Sequence, residues 1–186
     1  MRLPNKNERG FTLIETLVAI SLLAVAIVAP MALVSSSLSA AIYAGDQVTA
    51  YYLAQEGIEV IRARRDDAVL GLFPLGKGNS LSAAGIPVDK DFYIDTLSGG
   101  TITACTGQCP LLKTDGNFYG YGSGAEWIET RFRRTLTACY IQADQSCGLA
   151  VTEEMRLTST IAWTTPVVGS ERSFQISESL FDIWPY

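Results

Sequence analysis

One charged residue near the start of the chain stands where a charge is costly. It is Glu15, within Arg9-Gly10-Phe11-Thr12-Leu13-Ile14-Glu15. It stands at the head of an apolar run, residues 16–34, that contains no charged side chain. A carboxylate in hydrocarbon costs roughly 2.5–3.5 kcal/mol on insertion scales, so a residue kept there is expected to have a partner.

The other chemistry-bearing residues are four cysteines, Cys105, Cys109, Cys139 and Cys147, all beyond the apolar run. If that region lies outside the cytoplasm, an even count predicts two disulfides, with three possible connectivities. Local pairing, Cys105 with Cys109 and Cys139 with Cys147, is the expected one. Thr106-Gly107-Gln108 can close a tight loop, and Ala143-Asp144-Gln145-Ser146 reads as a turn. A four-thiolate zinc site competes, but it favours pairs separated by about two to four residues; here the gaps are three and seven. Asp89, Asp91 and Asp95 hint at a calcium loop. The turn glycine and terminal glutamate of an EF-hand are missing, so a solvated acidic loop is expected instead.

The 186 residues contain no histidine, which removes the commonest acid–base group and metal ligand. No Gly-rich phosphate cradle precedes a helix, and no Gly-x-Ser-x-Gly is present. No enzymatic activity, metal or cofactor is therefore expected. The net charge is −5. Arg2, Lys6 and Arg9 against Glu8 make the first ten residues +2, which leaves 11 basic and 18 acidic residues beyond them. The basic flank predicts a cytoplasmic N-terminus and an exported remainder. The acidic remainder argues against nucleic acid as a partner. Two arginine clusters, Arg62, Arg64, Arg65 and Arg131, Arg133, Arg134, read as solvated or ion-paired surface.

The apolar run is long enough to span a bilayer as a helix. A lipoprotein signal would need a cysteine directly after it. A cleaved secretory signal could use Ser39-Ala40-Ala41, but would not favour Glu15. The segment from Arg9 to Glu15, continuing Thr16-Leu17-Val18-Ala19-Ile20, resembles the processing and methylation site of type IV prepilins and pseudopilins. The resemblance covers residues 1 to about 35. It implies removal of a basic leader, residues 1–10, by a prepilin peptidase that grips the unhindered backbone at Gly10, and N-methylation of Phe11 as the new N-terminus. It further implies pairing of Glu15 with the N-terminal ammonium of a neighbouring subunit. Pro30 deletes a backbone hydrogen bond, and two readings stand: a simple membrane kink, or a helix that bends or partly melts on assembly.

Around these residues the expected fold is α+β and pilin-like. A long helix over residues 11–67, about 85 Å at 1.5 Å per residue, would have a protruding apolar half at 11–34. Ala50, Leu53, Ala54, Gly57, Ile58 and Ile61 make an amphipathic stripe in its second half, suited to packing on a sheet. Residues 68–130 read as a Gly-rich irregular connection, with short strands near residues 92–97 and 127–128. From residue 131 the period changes to two. Phe132, Leu136, Ala138 and Tyr140 mark one strand, Met155, Leu157, Ile161 and Trp163 a second, and Phe174 and Ile176 a third. The phase slips near Leu180-Phe181, read as a bulge, and Trp163 and Trp184 read as core. An antiparallel sheet of three or more strands over residues 131–186 follows.

The function expected from these observations is a structural filament subunit, a minor pilin or pseudopilin. Its partners would be a prepilin peptidase, other pilin subunits, the cytoplasmic membrane and the pilus assembly machinery. It would be a single-pass membrane protein before assembly and part of a surface or periplasmic filament afterwards. The alternative is a membrane-anchored or secreted extracytoplasmic binding domain that does not polymerise.

Overall fold

The computed structural model describes residues 10–70, 80–165 and 169–182. Two compact units divide between Ala44 and Gly45. The first unit is helical from Leu13 onward, the beginning of helix α1 (Leu13–Val69). Its large apolar side chains between residues 11 and 38 are all exposed, from 51 % at Val18 to 81 % at Phe11. A helix that is apolar on every face is built for lipid or for a bundle of similar helices. The helix is long and apolar enough to cross a membrane, with a mean hydropathy of 2.8 over its most apolar 18 residues. Hydroxyls within this stretch are satisfied locally: Thr16, Ser21 and Ser36 donate to the carbonyls of Leu13, Val18 and Leu33. No polar side-chain hydrogen at those positions then needs water. Pro30 lies inside the helix, where its ring nitrogen cannot donate to the carbonyl four residues back.

The second unit contains the remainder of α1, the short helix α2 (Ser80–Ala83) and eight strands among the described residues. These are β1 (Phe92–Asp95), β2 (Thr101–Ala104), β3 (Leu111–Thr114), β4 (Tyr119–Gly120), β5 (Ile128–Ile141), β6 (Cys147–Gly148), β7 (Glu154–Thr164) and β8 (Glu171–Phe181). Every pairing is antiparallel. The fourteen-residue β5 is the hub. It pairs with β7, which pairs with β8, while β1 and β3 pair with β5 as well and carry β2 and β4 outside them. The stretch with little sequence periodicity thus contains four short strands.

The stripe of α1 is buried as its spacing predicts: Ala50, Leu53, Ala54, Gly57, Ile58 and Ile61 all lie in the core. It packs on the inward columns of β5 and β7, where Phe132, Leu136, Met155, Leu157, Ile161 and Trp163 are also buried. The closest approach is at Gly57. A side chain there would meet Arg134 Cδ at 3.2 Å and Leu136 Cδ2 at 3.4 Å, so the helix and sheet sit where only a glycine fits without displacement.

Three expectations need correction. Arg134 is not surface: it is fully buried in the inward column of β5, between Phe132 and Leu136. Its Nη1 donates to Glu56 Oε2 (2.9 Å) and to the Leu53 carbonyl (3.2 Å), and its Nη2 to the Ile94 carbonyl (2.7 Å). One guanidinium therefore ties α1, β1 and β5 together. Its neighbour Arg131 pairs with the buried Asp46, and Arg62 and Arg65 are ion-paired as read, whereas Arg64 donates to the Ala84 and Gly100 carbonyls. The bulge at Leu180-Phe181 is absent, because β7 and β8 keep one register from Thr164↔Glu171 to Glu154↔Phe181. The apparent slip arises because Glu178 occupies the inward column. There it accepts from Arg62 (2.6 Å) and, with Glu59, holds that guanidinium above its usual pKa. The strand expected from residue 131 starts instead at Ile128. Trp163 is core, 2 % exposed; Trp184 and the leader residues Arg2, Lys6, Glu8 and Arg9 lie outside the described residues.

Arg134→Met keeps the length of the side chain and removes every donor. The Leu53 and Ile94 carbonyls would then be buried without a partner, at about 1–3 kcal/mol each. Urea unfolding followed by tryptophan fluorescence should show a loss of about 2–4 kcal/mol. Glu56→Gln keeps an acceptor but removes the counter-charge of the buried guanidinium, and should cost less than Arg134→Met, about 1–2 kcal/mol.

Candidate functional site: the N-terminal processing and assembly segment

The structure places Gly10, Phe11 and Thr12 outside the helix, which begins at Leu13. The Gly10–Phe11 bond is therefore presented in non-helical backbone, the form that a peptidase cleft accepts. The boundary is set by Thr12. Its carbonyl accepts the Thr16 N–H (3.2 Å), the first bond of the helical ladder, and its Oγ1 accepts the Glu15 N–H (3.3 Å). This is an N-cap, which satisfies one of the four donors that a helix start leaves open. Thr12 and Glu15 have the Thr-x-x-Glu spacing of a capping box. That signal is present in the sequence, and it identifies Thr12 as a functional residue that the motif reading passed over.

Glu15 falls in the first turn of the helix. Its carboxylate stands where the helix dipole favours negative charge. The dipole offsets part of the cost of a charge beside an apolar run, and the side chain remains exposed. Gly10, Phe11 and Glu15 lie within six residues at one helix end. Pro30 lies about four turns beyond Glu15, and among the described residues no bond links it to them.

The cysteines form a separate feature. Cys105 is joined to Cys109 and Cys139 to Cys147, with Cα separations of 5.1 and 5.3 Å, within the usual disulfide range. The first bond closes the loop between β2 and β3. Arg133 Nε donates to the Cys109 carbonyl (2.7 Å) and binds this loop to β5. The second closes the β5–β6 hairpin, whose turn is held by the Gln142 N–H on the Ser146 carbonyl (2.9 Å). Within that turn Asp144 accepts from the Ser146 hydroxyl and N–H, which holds its carboxyl below the ordinary value. Cys105, the Cys139–Cys147 bond, Asp89, Lys90, Asp91 and Arg156 line one open cavity of about 620 Å³. Among the described residues no three His, Cys, Asp or Glu side chains come together as a metal site.

The family model of the prokaryotic N-terminal methylation motif matches residues 5–29, a stretch wholly within the N-terminal segment. No curated protein and no solved structure matches the chain. The chain thus carries a prokaryotic N-terminal methylation motif at the head of a long helix, apolar in its first part and packed in its second part on an antiparallel sheet, an α+β, pilin-like arrangement.

Two outcomes follow from this geometry. Thr12→Val is isosteric but cannot accept the Glu15 N–H, so the first turn should lose about 1 kcal/mol. Amide exchange of residues 13–16 in micelles should quicken accordingly, and Thr12→Ser should restore the wild-type rate. Peptide mapping of the purified, non-reduced protein should link Cys105 to Cys109 and Cys139 to Cys147 with no alkylatable thiol. Removing either bond should cost about 2–3 kcal/mol, because both loops are short.

Proposed function

We propose that this chain is a structural subunit, a minor pilin or pseudopilin, of a type IV pilus-like filament. In this reading a prepilin peptidase cuts after Gly10 and Phe11 becomes the N-methylated terminus. The observation that carries it is the layout of residues 10–15. A Gly–Phe bond in non-helical chain precedes a capped helix, which carries Glu15 in its first turn and is apolar on all faces beyond it.

Methylation leaves the Phe11 amine basic while making it more apolar, which suits a charge beside lipid. Before assembly the helix anchors the chain in the cytoplasmic membrane. On assembly it leaves lipid for a bundle of related helices. Exchanging one apolar environment for another yields little hydrophobic free energy, so packing and charge pairing select the arrangement. Glu15 paired with the Phe11 ammonium of a neighbour would fix the axial stagger. Extraction requires the pilus assembly machinery with its cytoplasmic ATPase. The Gly-rich strands and loops between α1 and β5 suit a subunit with its own exposed surface, which favours a minor over a major component.

Co-expression with a prepilin peptidase tests the first step. Mass spectrometry should show a mature chain starting at Phe11, and a bulky residue at Gly10 should leave the precursor uncut in the membrane. Efficient cutting of that variant removes the role given to Gly10. Glu15→Val should insert and be cut as well as wild type, since the scissile bond is untouched and a charge has left the span. It should accumulate in the membrane and be scarce in sheared filaments, and Glu15→Gln should rescue poorly. Wild-type incorporation of both variants at matched protein levels would refute charge pairing.

A further inference from the structure

Two large aromatic side chains of the second unit face solvent across a groove of about 400 Å³, Tyr52 on α1 and Phe118 on the hairpin that joins β3 to β4. They are 65 % and 58 % exposed. The rest of the lining is Leu53 and Tyr119 together with the polar Thr49, Glu56 and Asn117. We propose that this groove is a binding site for a neutral saccharide.

The backbone that carries both walls is held by the chain's own contacts. On the hairpin, Asp115 Oδ1 accepts the N–H groups of Asn117 (2.9 Å) and Phe118 (2.8 Å). The Gly116 N–H donates to Thr114 Oγ1 (3.0 Å), and Gly116 takes the left-handed φ of 95° that the turn requires. The tip is therefore held by its own hydrogen bonds and carries Phe118 outward. On the helix, Leu53 is buried in the core and Glu56 is held at one oxygen by Arg134. A site whose walls need no ordering loses less free energy when it binds.

The chemistry of the lining selects the ligand class. The volume lies within the range of small-molecule sites. Glu56 is the only formal charge in the lining, and Arg134 Nη1 at 2.9 Å compensates it. An organic cation, the usual guest of an aromatic cage, would find no net negative charge to bind. A nucleic acid strand would need cations along its backbone beside the stacking rings, and none line the groove. What remains is a neutral guest with an apolar face and a polar rim. A pyranose has both: its C–H face can lie on Tyr52 or Phe118 while its hydroxyls meet polar groups. Among the described residues Glu56 Oε1, the Asn117 side-chain amide and the Tyr52 hydroxyl take no protein partner. They supply an acceptor, a donor–acceptor pair and a group that does either.

This site does not depend on polymerisation, and a monomer tests it. The full chain would be purified in a detergent whose head group is not a sugar. Saturation-transfer NMR would then be recorded with galactose, N-acetylglucosamine, lactose and maltose in turn. At least one should receive saturation at its ring protons, with Kd on the order of 1 mM. Phe118→Ala and Tyr52→Ala should each weaken that sugar about tenfold or more, and Asn117→Ala by a smaller factor. Thr160→Ala, in the outward column of β7, should leave it unchanged. Circular dichroism should show all four variants folded, as each side chain replaced lies outside the core. Absence of transfer to all four sugars overturns the proposal. So does transfer that survives both aromatic substitutions, or self-association in sedimentation that is lost with Phe118→Ala, which would make the groove an interface between copies.

Discussion

One buried guanidinium sets the geometry of the second unit. Arg134 occupies a core position of the central strand and reaches a carbonyl on α1, a carboxylate on α1 and a carbonyl on β1. A charge in that place is tolerable only while those acceptors surround it, because removing any of them leaves a buried group unpaired. Apolar contacts between a helix and a sheet allow the helix to slide or turn at small cost. Directional bonds from a planar fork do not. Gly57 makes the arrangement possible by leaving room for the Arg134 side chain directly beneath the helix.

The same pair shapes the surface. Glu56 is drawn to Arg134 at one oxygen and offers the other to the groove between Tyr52 and Phe118. A strong internal bond and a neutral exposed site thus share a residue. Elsewhere in the domain, salt bridges and short-range bonds hold the loops. Arg64 donates to the Ala84 and Gly100 carbonyls at 2.9 Å each, which attaches the end of α2 and the β1–β2 turn to α1. Asp182 accepts from the Ser80 N–H and hydroxyl and ties the start of α2 to the end of β8. The two disulfides brace loops on either side of β5. The short strands β1 to β4 and the loops beside them are held by such local ties in addition to the core.

The first unit follows a different rule. Its helix offers no buried stripe, and the Thr16, Ser21 and Ser36 hydroxyls bond back to their own turn. The Thr12 cap sharpens its start, so that the chain passes from accessible backbone to regular helix within two residues of the Gly10–Phe11 bond. Accessible backbone and a closed helical ladder thus meet at the cap, within a few residues.

How much of this could be read in the residues depends on the range of the interactions. The Gly10-Phe11 and Glu15 motif, the apolar span, the helical stripe of α1 and the period-two columns of β5 and β7 are local patterns. Each follows from side-chain type and spacing, so the sequence by itself determined them. Even Arg134 lay in an inward column beside Phe132 and Leu136, but its charge argued for the surface, since burial makes sense only with its distant acceptors in view. Glu178 misled in the same way, because its partner Arg62 is 116 residues away. The short strands of residues 92–120 carry too few residues for a period to emerge, and they exist because β5 offers edges to pair with. The groove beneath Phe118 unites a helix face with a hairpin tip more than sixty residues apart in the chain. Tertiary structure alone decided these, because hydrogen bonds and cavities between distant segments leave no periodic trace in the chain that makes them.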